Sequence, residues 1–162
     1  MQMSIVTPSP VQTSLLPVEV SKPSGGNLSP DILALELERI VNKLAGQPEW
    51  NMTRARQAEL AYRRFLQLRS LYPTCSLVPT RDIDEMWHGH ILDTRAYAAD
   101  CDRLFGGFMH HCPAWDGEDR AELDAAFAVT RALWMRAFGE ELAEAARCES
   151  KACHVDTPCR CR

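Results

Sequence analysis

The chain has 162 residues, 46% of them hydrophobic, and its 22 acidic and 18 basic side chains give a net charge of −4. This length and hydrophobic content are typical of one domain with one core. The acidic balance excludes a broad basic field for nucleic acid or anionic lipid, and no apolar run reaches the roughly 20 residues that span a bilayer. Since no basic region precedes an apolar stretch at the N-terminus, we expect a cytoplasmic protein without a secretory signal.

Three segments are predicted along the chain. Residues 1–28 contain four prolines among polar side chains and show no apolar period, which indicates a disordered arm. Residues 29–147 carry helical patterns and are predicted to form one helical domain. Residues 148–162 form a short tail that is rich in cysteine.

The first predicted helix runs from about Pro30 to Ala45. Ser29 supplies the N-cap, and a proline suits the first turn. Apolar residues then recur at helical spacing, at Leu33, Leu37, Ile40 and Leu44.

The second predicted helix begins near Thr53 and is stopped by Pro73. Its apolar positions, which include Ala58, Phe65 and Leu68, fall on one face. Three basic side chains are predicted to face solvent on the opposite side: Arg63, Arg64 and Arg69.

The third predicted helix follows a cap at Thr80 and runs without a break to Gly106. A fourth extends from about Asp116 to about Arg147, with Gly139 as a weak point. Because no convincing strand pattern or internal repeat is present, the sequence predicts an all-α domain of about four helices around one core.

Four of the five histidines lie between residues 88 and 111, within and just after the third predicted helix. Imidazole, thiol and carboxylate groups are the usual ligands of transition metals, so this cluster is the main candidate site. Successive helical residues turn by about 100°, so His88 and His90 lie about 200° apart and cannot hold one ion from the same face. His90 belongs to the buried stripe of the helix, whereas His88 lies one turn after Asp84.

Two sets of residues are predicted from this geometry. The first set lines a buried metal site and comprises His90, Cys101, His110, Asp93 and Tyr97. The second set supports that site by hydrogen bonding or packing and comprises Asp84, Trp87, His88, Asp100, His111 and Cys112. Two alternatives stay open: His90 is a core histidine with one hydrogen-bond partner, and His88 with Asp84 is a surface ion pair.

The seven cysteines are many for a reducing compartment, and their odd number argues against a closed disulfide framework. The tail offers enough soft ligands for Zn²⁺ or Cu⁺, although it lacks the paired CxxC motifs of standard zinc fingers. It either forms its own metal clasp, delivers metal to the helical site, or ends in disulfides. Its candidate ligands are Cys148, Cys153, His154, Cys159 and Cys161.

A signature within the cluster resembles that of the glycine-rich domain-containing protein-like family. It reads Ile83-Asp84-x-x-Trp87-His88-x-His90, then Thr94, Tyr97, Asp100-Cys101, Leu104-Phe105-Gly106 and His110-His111-x-Pro113. The resemblance covers about Pro30 to Gly139. It implies functional roles for Asp84, Trp87, His88, His90, Tyr97, Asp100, Cys101 and His110. This chain has no glycine-rich segment, so the RNA binding and stress signalling suggested for plant members are not expected here.

The function predicted from these patterns is that of a small metal-binding helical protein with a buried site of His, Cys, Asp and Tyr side chains. Zinc is the expected metal, with iron and copper as alternatives. An ion with an open position would permit hydrolytic or oxidative chemistry, but no separate nucleophile, phosphate loop or cofactor fingerprint accompanies the cluster, so catalysis is left open. The alternative is a non-catalytic adaptor, in which the Trp-His signature stabilises the helices and a protein or peptide partner binds elsewhere.

Overall fold

The computed structural model describes residues 27–113 and 120–142, together with the backbone of residues 150–152. The predicted all-α, single-domain fold is confirmed, but the predicted N-terminal arm and most of the tail lie outside the described residues. The described part contains six helices and one small antiparallel sheet: α1 (Pro30–Leu33), α2 (Glu38–Ala45), α3 (Met52–Leu71), α4 (Arg81–Leu92), α5 (Thr94–Phe105), β1 (His111–Pro113), α6 (Arg120–Phe138) and β2 (Ser150–Ala152).

The core is built around α3, which packs against α1, α2, α4 and α6. Its side chains Tyr62 and Phe65 are completely buried, as is Trp87 of α4, and the rings of Phe65 and Trp87 lie 5.8 Å apart. Burial of a large apolar side chain contributes about 1.5–3 kcal/mol to stability. The packing of α3 on α4 therefore fixes the helix that carries most of the histidine cluster.

The first predicted helix is in fact two helices, so the prediction of one continuous helix is wrong. The chain leaves the helical path between Leu33 and Glu38. In this interval, the Arg63 guanidinium of α3 donates hydrogen bonds to the carbonyl oxygens of Ile32, Leu33 and Leu35. A continuous helix would need those carbonyls for its own hydrogen bonds, so the tertiary contact with Arg63 replaces one more turn of helix.

The prediction that the arginines of α3 form a solvated face is also wrong. Arg69 is only 2% exposed, and its guanidinium donates to the carbonyl oxygens of Pro73, at 2.7 Å, and Cys75, at 3.3 Å. A buried guanidinium is tolerated when its donors are used in this way. Arg69 thus fastens the loop that leads from α3 into α4.

The third predicted helix breaks at Asp93, where the backbone adopts φ −85° and ψ 70°. In a straight helix, residues ten positions apart would be separated by about 15 Å along the axis. Here His90 of α4 lies 3.1 Å from Asp100 of α5, measured from Nε2 to Oδ2. The bend is therefore what brings the two halves of the sequence signature into contact.

Gly89 allows α4 to approach α2 closely. A Cβ at this position would lie 2.4 Å from Cγ2 of Ile40, which is well inside van der Waals contact. Since Ile40 is itself buried in the core, the glycine is required by packing. Gly89 stands between His88 and His90, so the close approach also sets how far those two side chains lie from α2.

The fourth predicted helix ends earlier than expected, at Phe138 and not near Arg147. Gly139 follows with a positive φ of 74°, a common conformation after the last helical turn. The sheet was not predicted, because its two strands have three residues each, and β1 pairs with β2 in the register His111 to Ala152. Among the described helices, none combines the length and apolar character needed to cross a membrane.

Candidate metal site

Three side chains with metal-binding atoms converge at the surface end of the histidine cluster. Nε2 of His111 lies 2.9 Å from Nε2 of His88 and 2.9 Å from Oδ1 of Asp84. Nε2 of His88 lies 3.5 Å from Oδ2 of Asp84. Within the part of the chain that the structure describes, these three residues form the group of His, Cys, Asp and Glu side chains whose ligand atoms lie within 4.8 Å of one another.

Two elements supply the three side chains. Asp84 and His88 lie one turn apart on α4, so both point to the same side of the helix. Asp84 is in the first turn of α4, where the helix dipole favours a negative charge. His111 comes from β1 and is reached only after the chain has passed through α5.

His111 is held in place by ring packing as well as by its strand. Its imidazole lies 4.7 Å from the indole of Trp87 and 4.6 Å from the imidazole of His88, measured between ring centroids. Trp87 is completely buried and therefore held in place by the core, so the packing of His111 against its indole restricts the position of the imidazole. The His111 side chain is 15% exposed as a result.

Nε2 of His111 has two close polar neighbours, which need different protonation states of the ring. A single Nε2 carries either a proton or a lone pair, yet Nε2 of His111 faces both Asp84 and His88 at 2.9 Å. A cation placed between the three side chains would accept lone pairs from both imidazoles and from the carboxylate at once. For an ion with metal–nitrogen bonds of about 2.0–2.1 Å, tetrahedral geometry places two ligand nitrogens about 3.3 Å apart. A small outward movement of His88 is enough to reach that separation.

The burial of the three groups is uneven. The side chain of His88 is 47% exposed, whereas that of Asp84 is 6% exposed. Solvent therefore approaches the group from the side of His88. An ion held here by three protein ligands would leave a fourth tetrahedral position for a ligand from solvent.

His90 lies in a separate, buried network. Its Nδ1 is 3.0 Å from the Tyr62 hydroxyl and its Nε2 is 3.1 Å from Asp100, which also accepts a hydrogen bond from Arg103 at 2.6 Å. Because a carboxylate accepts, Nε2–H of His90 donates to Asp100, and the Tyr62 hydroxyl donates to Nδ1. Burial lowers the pKa of His90, although Asp100 acts in the opposite direction. Both ring nitrogens are thus occupied without an ion.

Tyr97 and Cys101 are buried beside this network. The Tyr97 hydroxyl accepts a hydrogen bond from Nε1 of Trp87 at 2.8 Å and donates to the carbonyl of Met109 at 2.5 Å. Burial raises the pKa of the Cys101 thiol. Since the thiolate is the form that binds metals, this environment favours a neutral, packed cysteine. The predicted metal site around His90, Cys101 and Tyr97 stays a prediction that the described geometry does not favour.

The other predicted ligands lie apart from the three converging side chains. His110 is exposed and packs on Phe108, with ring centroids 5.0 Å apart. Asp93 is exposed at the junction of α4 and α5. Cys112 is disulfide-bonded, whereas Cys75 and Cys101 are free thiols. The predicted tail ligands lie outside the described side chains: Cys148, Cys153, His154, Cys159 and Cys161.

The sequence pattern indicated part of this arrangement. The four-residue spacing of Asp84 and His88 predicted their pairing, and the helical angle predicted that His90 would face elsewhere. His111 was assigned only a supporting role, because nothing in its own segment predicts a strand or its position beside Trp87. Tyr62 was missed as the partner of His90, since a tyrosine on an apolar helix face looks like ordinary core.

Comparisons with known proteins agree with the family resemblance. Two proteins of Arabidopsis thaliana, glycine-rich domain-containing proteins 2 and 1, are 33% and 34% identical to this chain over 90 residues, or 51% of its length. The chain spans only 11% of the length of these curated relatives. No solved structure matches it. The UCP032817-like family matches residues 36–148, which include every described helix except α1, and the chain belongs to that family.

Proposed function

We propose that the protein binds one divalent transition-metal ion through Asp84, His88 and His111. The convergence of two imidazole nitrogens and a carboxylate at 2.9–3.5 Å carries this proposal. Structural ion pairs also bring a histidine to a carboxylate, but they do not require a second histidine to lie beside the same carboxylate group, as His88 and His111 do. The proposal moves the site from the buried stripe of His90 to the opposite side of α4.

The chemical nature of the three ligands restricts which metal ions are expected to bind. Two histidines and one carboxylate are the ligands of many zinc hydrolases and of non-haem Fe²⁺ oxygenases. No thiolate takes part, so Cu⁺, which prefers sulfur ligands, is not the expected metal. We propose Zn²⁺ as the first choice and Fe²⁺ as the second. Either ion would act as a Lewis acid toward a ligand that enters from the exposed side of His88.

Metal binding is tested by titrating the untagged protein with Zn²⁺ and by elemental analysis. About one ion per chain is expected at this site, with a rise in melting temperature because the ion binds only the folded state. His88→Ala removes one of three ligands from an exposed position, so the fold should be retained. Loss of an outer hydrogen-bond partner already costs about 10–100-fold in metal affinity, and we expect loss of His88 to cost more than about 100-fold.

His110→Ala is the matched control, since His110 is exposed, lies next to His111 in sequence and is not part of the converging group. It should leave the affinity unchanged. Titration with Co²⁺ distinguishes this site from the tail, because cysteine ligands give a thiolate-to-cobalt charge-transfer absorption and His–Asp ligands do not. The proposal is wrong if His88→Ala binds the ion as tightly as the wild type, or if all bound Co²⁺ shows the thiolate absorption.

The alternative function, a non-catalytic adaptor in which the Trp-His signature stabilises the helices, is consistent with the positions of two residues of that signature. Trp87 and His90 are buried, and their polar atoms all make hydrogen bonds within the fold. These two side chains therefore act in holding the helices together. His88 makes no such contribution to the core. A purely stabilising role of the signature therefore does not explain why a histidine is present at position 88.

A further inference from the structure

Helix α6 is apolar on the side that faces solvent as well as on the side that faces the core. It packs against α3, and its buried residues are Leu123, Thr130, Trp134 and Ala137. The opposite side bears six exposed apolar residues: Ala121, Ala125, Ala128, Val129, Ala132 and Met135. A helix at the surface of a monomer usually carries charged and polar side chains on that side, whereas a helix that is apolar all round is usually covered all round.

The exposed side of α6 forms a continuous surface. Its two largest apolar side chains, Val129 and Met135, are 45% and 42% exposed. A hollow of about 300 Å³ follows its C-terminal half and is lined by Ala128, Arg131, Ala132, Met135, Glu141 and Leu142. Single exposed apolar residues are ordinary, but a contiguous apolar surface is typical of an interaction site.

The spacing of the exposed residues fits a second helix. Ala121, Ala125, Ala128, Ala132 and Met135 are separated alternately by four and three residues, which is the repeat of a coiled-coil contact seam. Four of these five positions hold alanine, so another helix backbone can approach closely. At 1.5 Å per residue the seam is about 21 Å long, which is most of the length of α6.

The charges beside the seam indicate which helix fits. The positions that flank it carry Glu122 and Asp124 in the N-terminal half of α6, and Arg131 and Arg136 in the C-terminal half. A parallel pair of such helices would place arginine beside arginine, whereas an antiparallel pair places the acidic half of each helix beside the basic half of the other. Glu122 and Asp124 also interact within the chain, but both are exposed, and surface ion pairs are weak and readily exchanged. A two-fold dimer requires a surface of this kind, which is complementary to itself.

From these features we infer that α6 is the contact surface of a homodimer, in which the α6 helices of two copies of this chain pair in antiparallel orientation along the seam. A single pair of helices with alanine at most contact positions buries less than the roughly 1,200–2,000 Å² of a standard interface, so the dimer is weak and forms at high protein concentration. The inference does not depend on metal binding, because Asp84, His88 and His111 belong to other elements.

The inference is tested by sedimentation velocity on the full chain at concentrations from about 10 µM to about 1 mM, the range in which weak dimers form. A chelator is present so that no metal bridges two copies, and mass spectrometry without reductant excludes a disulfide between them. The average mass should rise from the 18.2 kDa of one chain toward twice that value.

Ala128→Glu is the disrupting variant, because Ala128 is exposed and lies near the middle of the seam. Glutamate is a good helix former, so the fold should be retained, which circular dichroism checks. An antiparallel pair would bring the two new carboxylates close together, and dimerisation should weaken at least about 10-fold. Leu33→Glu is the matched control: it also replaces an exposed apolar residue, 60% exposed in α1, and it should dimerise like the wild type.

A charge exchange tests the orientation of the two helices. Asp124→Arg and Arg131→Glu should each weaken the dimer by about 3-fold or more, since each places like charges across the antiparallel pair, and the double variant should restore it. The inference is overturned if the wild type stays monomeric at the highest concentration, or if Ala128→Glu dimerises as well as the wild type. It is also overturned if Leu33→Glu is as disruptive as Ala128→Glu, or if the double variant is as weak as the single ones.

Discussion

Gly89→Ala should destabilise the protein, although alanine is the better helix former. The new methyl group would lie 2.4 Å from Cγ2 of Ile40, compared with about 3.5–4.0 Å for a favourable carbon–carbon contact. Ile40 is β-branched and nearly fixed in a helix, so the clash can be relieved only by moving α2 away from α4. Overpacking of this kind lowers the free energy of unfolding by about 1–3 kcal/mol, whereas the higher helix propensity of alanine raises it by about 1 kcal/mol. A net loss of up to about 2 kcal/mol is expected.

The measurement is urea unfolding followed by circular dichroism, with Gly46→Ala as the control. A Cβ at Gly46 meets nothing closer than 3.6 Å, and the backbone there is right-handed helical, so this substitution should be neutral or stabilising by up to about 1 kcal/mol. For a chain of this size, each kcal/mol shifts the melting temperature by about 2–4 °C. Gly89→Ala should also weaken Zn²⁺ binding, since displacement of α4 moves His88 relative to His111.

A double-mutant cycle with Ile40→Ala tests the cause of the effect. Ile40→Ala removes the methyl group that the new Cβ would meet, so Gly89→Ala should cost less, or even stabilise, in that background. The reasoning is refuted if Gly89→Ala is as stable as the wild type. It is refuted equally if the cost of Gly89→Ala is the same with and without the Ile40 side chain.

Two further predictions concern pH and redox state. Because burial lowers the pKa of His90 below its ordinary value of 6.5, the unfolded chain takes up this proton first as the pH falls. The stability present above about pH 6.5 should therefore be lost progressively below it, and the loss should be smaller in His90→Gln; an identical pH profile for both proteins would contradict the assignment. Reduction of the Cys112 disulfide by a phosphine should weaken Zn²⁺ binding by roughly 10-fold, since Cys112 adjoins His111 in β1. Cys112→Ser should show the weaker affinity with and without the reductant, and an affinity unaffected by reduction in the wild type would argue that the strand holds His111 unaided.

Local signals predicted the ends of several elements correctly. Ser29 and Thr80 cap α1 and α4 through their side chains, and Gly106 follows α5 with a positive φ of 72°. These features depend on residues within one helical turn of each other, so the sequence alone carries them. The same holds for the pairing of Asp84 with His88.

The helix breaks were not predictable in the same way. The interruption after Leu33 depends on Arg63, about thirty positions away in the chain. The break at Asp93 is accompanied by the contact between His90 and Asp100, which a straight helix would forbid. In both places the apolar periodicity continues through the break, so the sequence pattern predicts a continuous helix. Tertiary hydrogen bonds decide where these helices end.

The position of His111 beside Asp84 and His88 could not be predicted from the sequence for a related reason. Its strand has three residues and pairs with a segment about forty positions later, so no local pattern predicts it. The candidate metal group thus combines a pair that is local in sequence with a third ligand that only the fold provides. A sequence-based choice of ligands favoured the residues nearest to His90 because they share its helical face.

The four residues Trp87-His88-Gly89-His90 each contact a different part of the structure. Successive residues on a helix turn by about 100°, so four in a row are distributed around the whole helix. Trp87 points into the core, His88 toward Asp84 and His111, Gly89 against α2, and His90 toward Tyr62. Substitution of three of these residues disturbs packing or buried hydrogen bonds, so it changes stability together with any effect on metal affinity. Only His88 is exposed and free of the core. His88 is therefore the one position in this segment at which a loss of metal binding can be separated cleanly from a loss of fold.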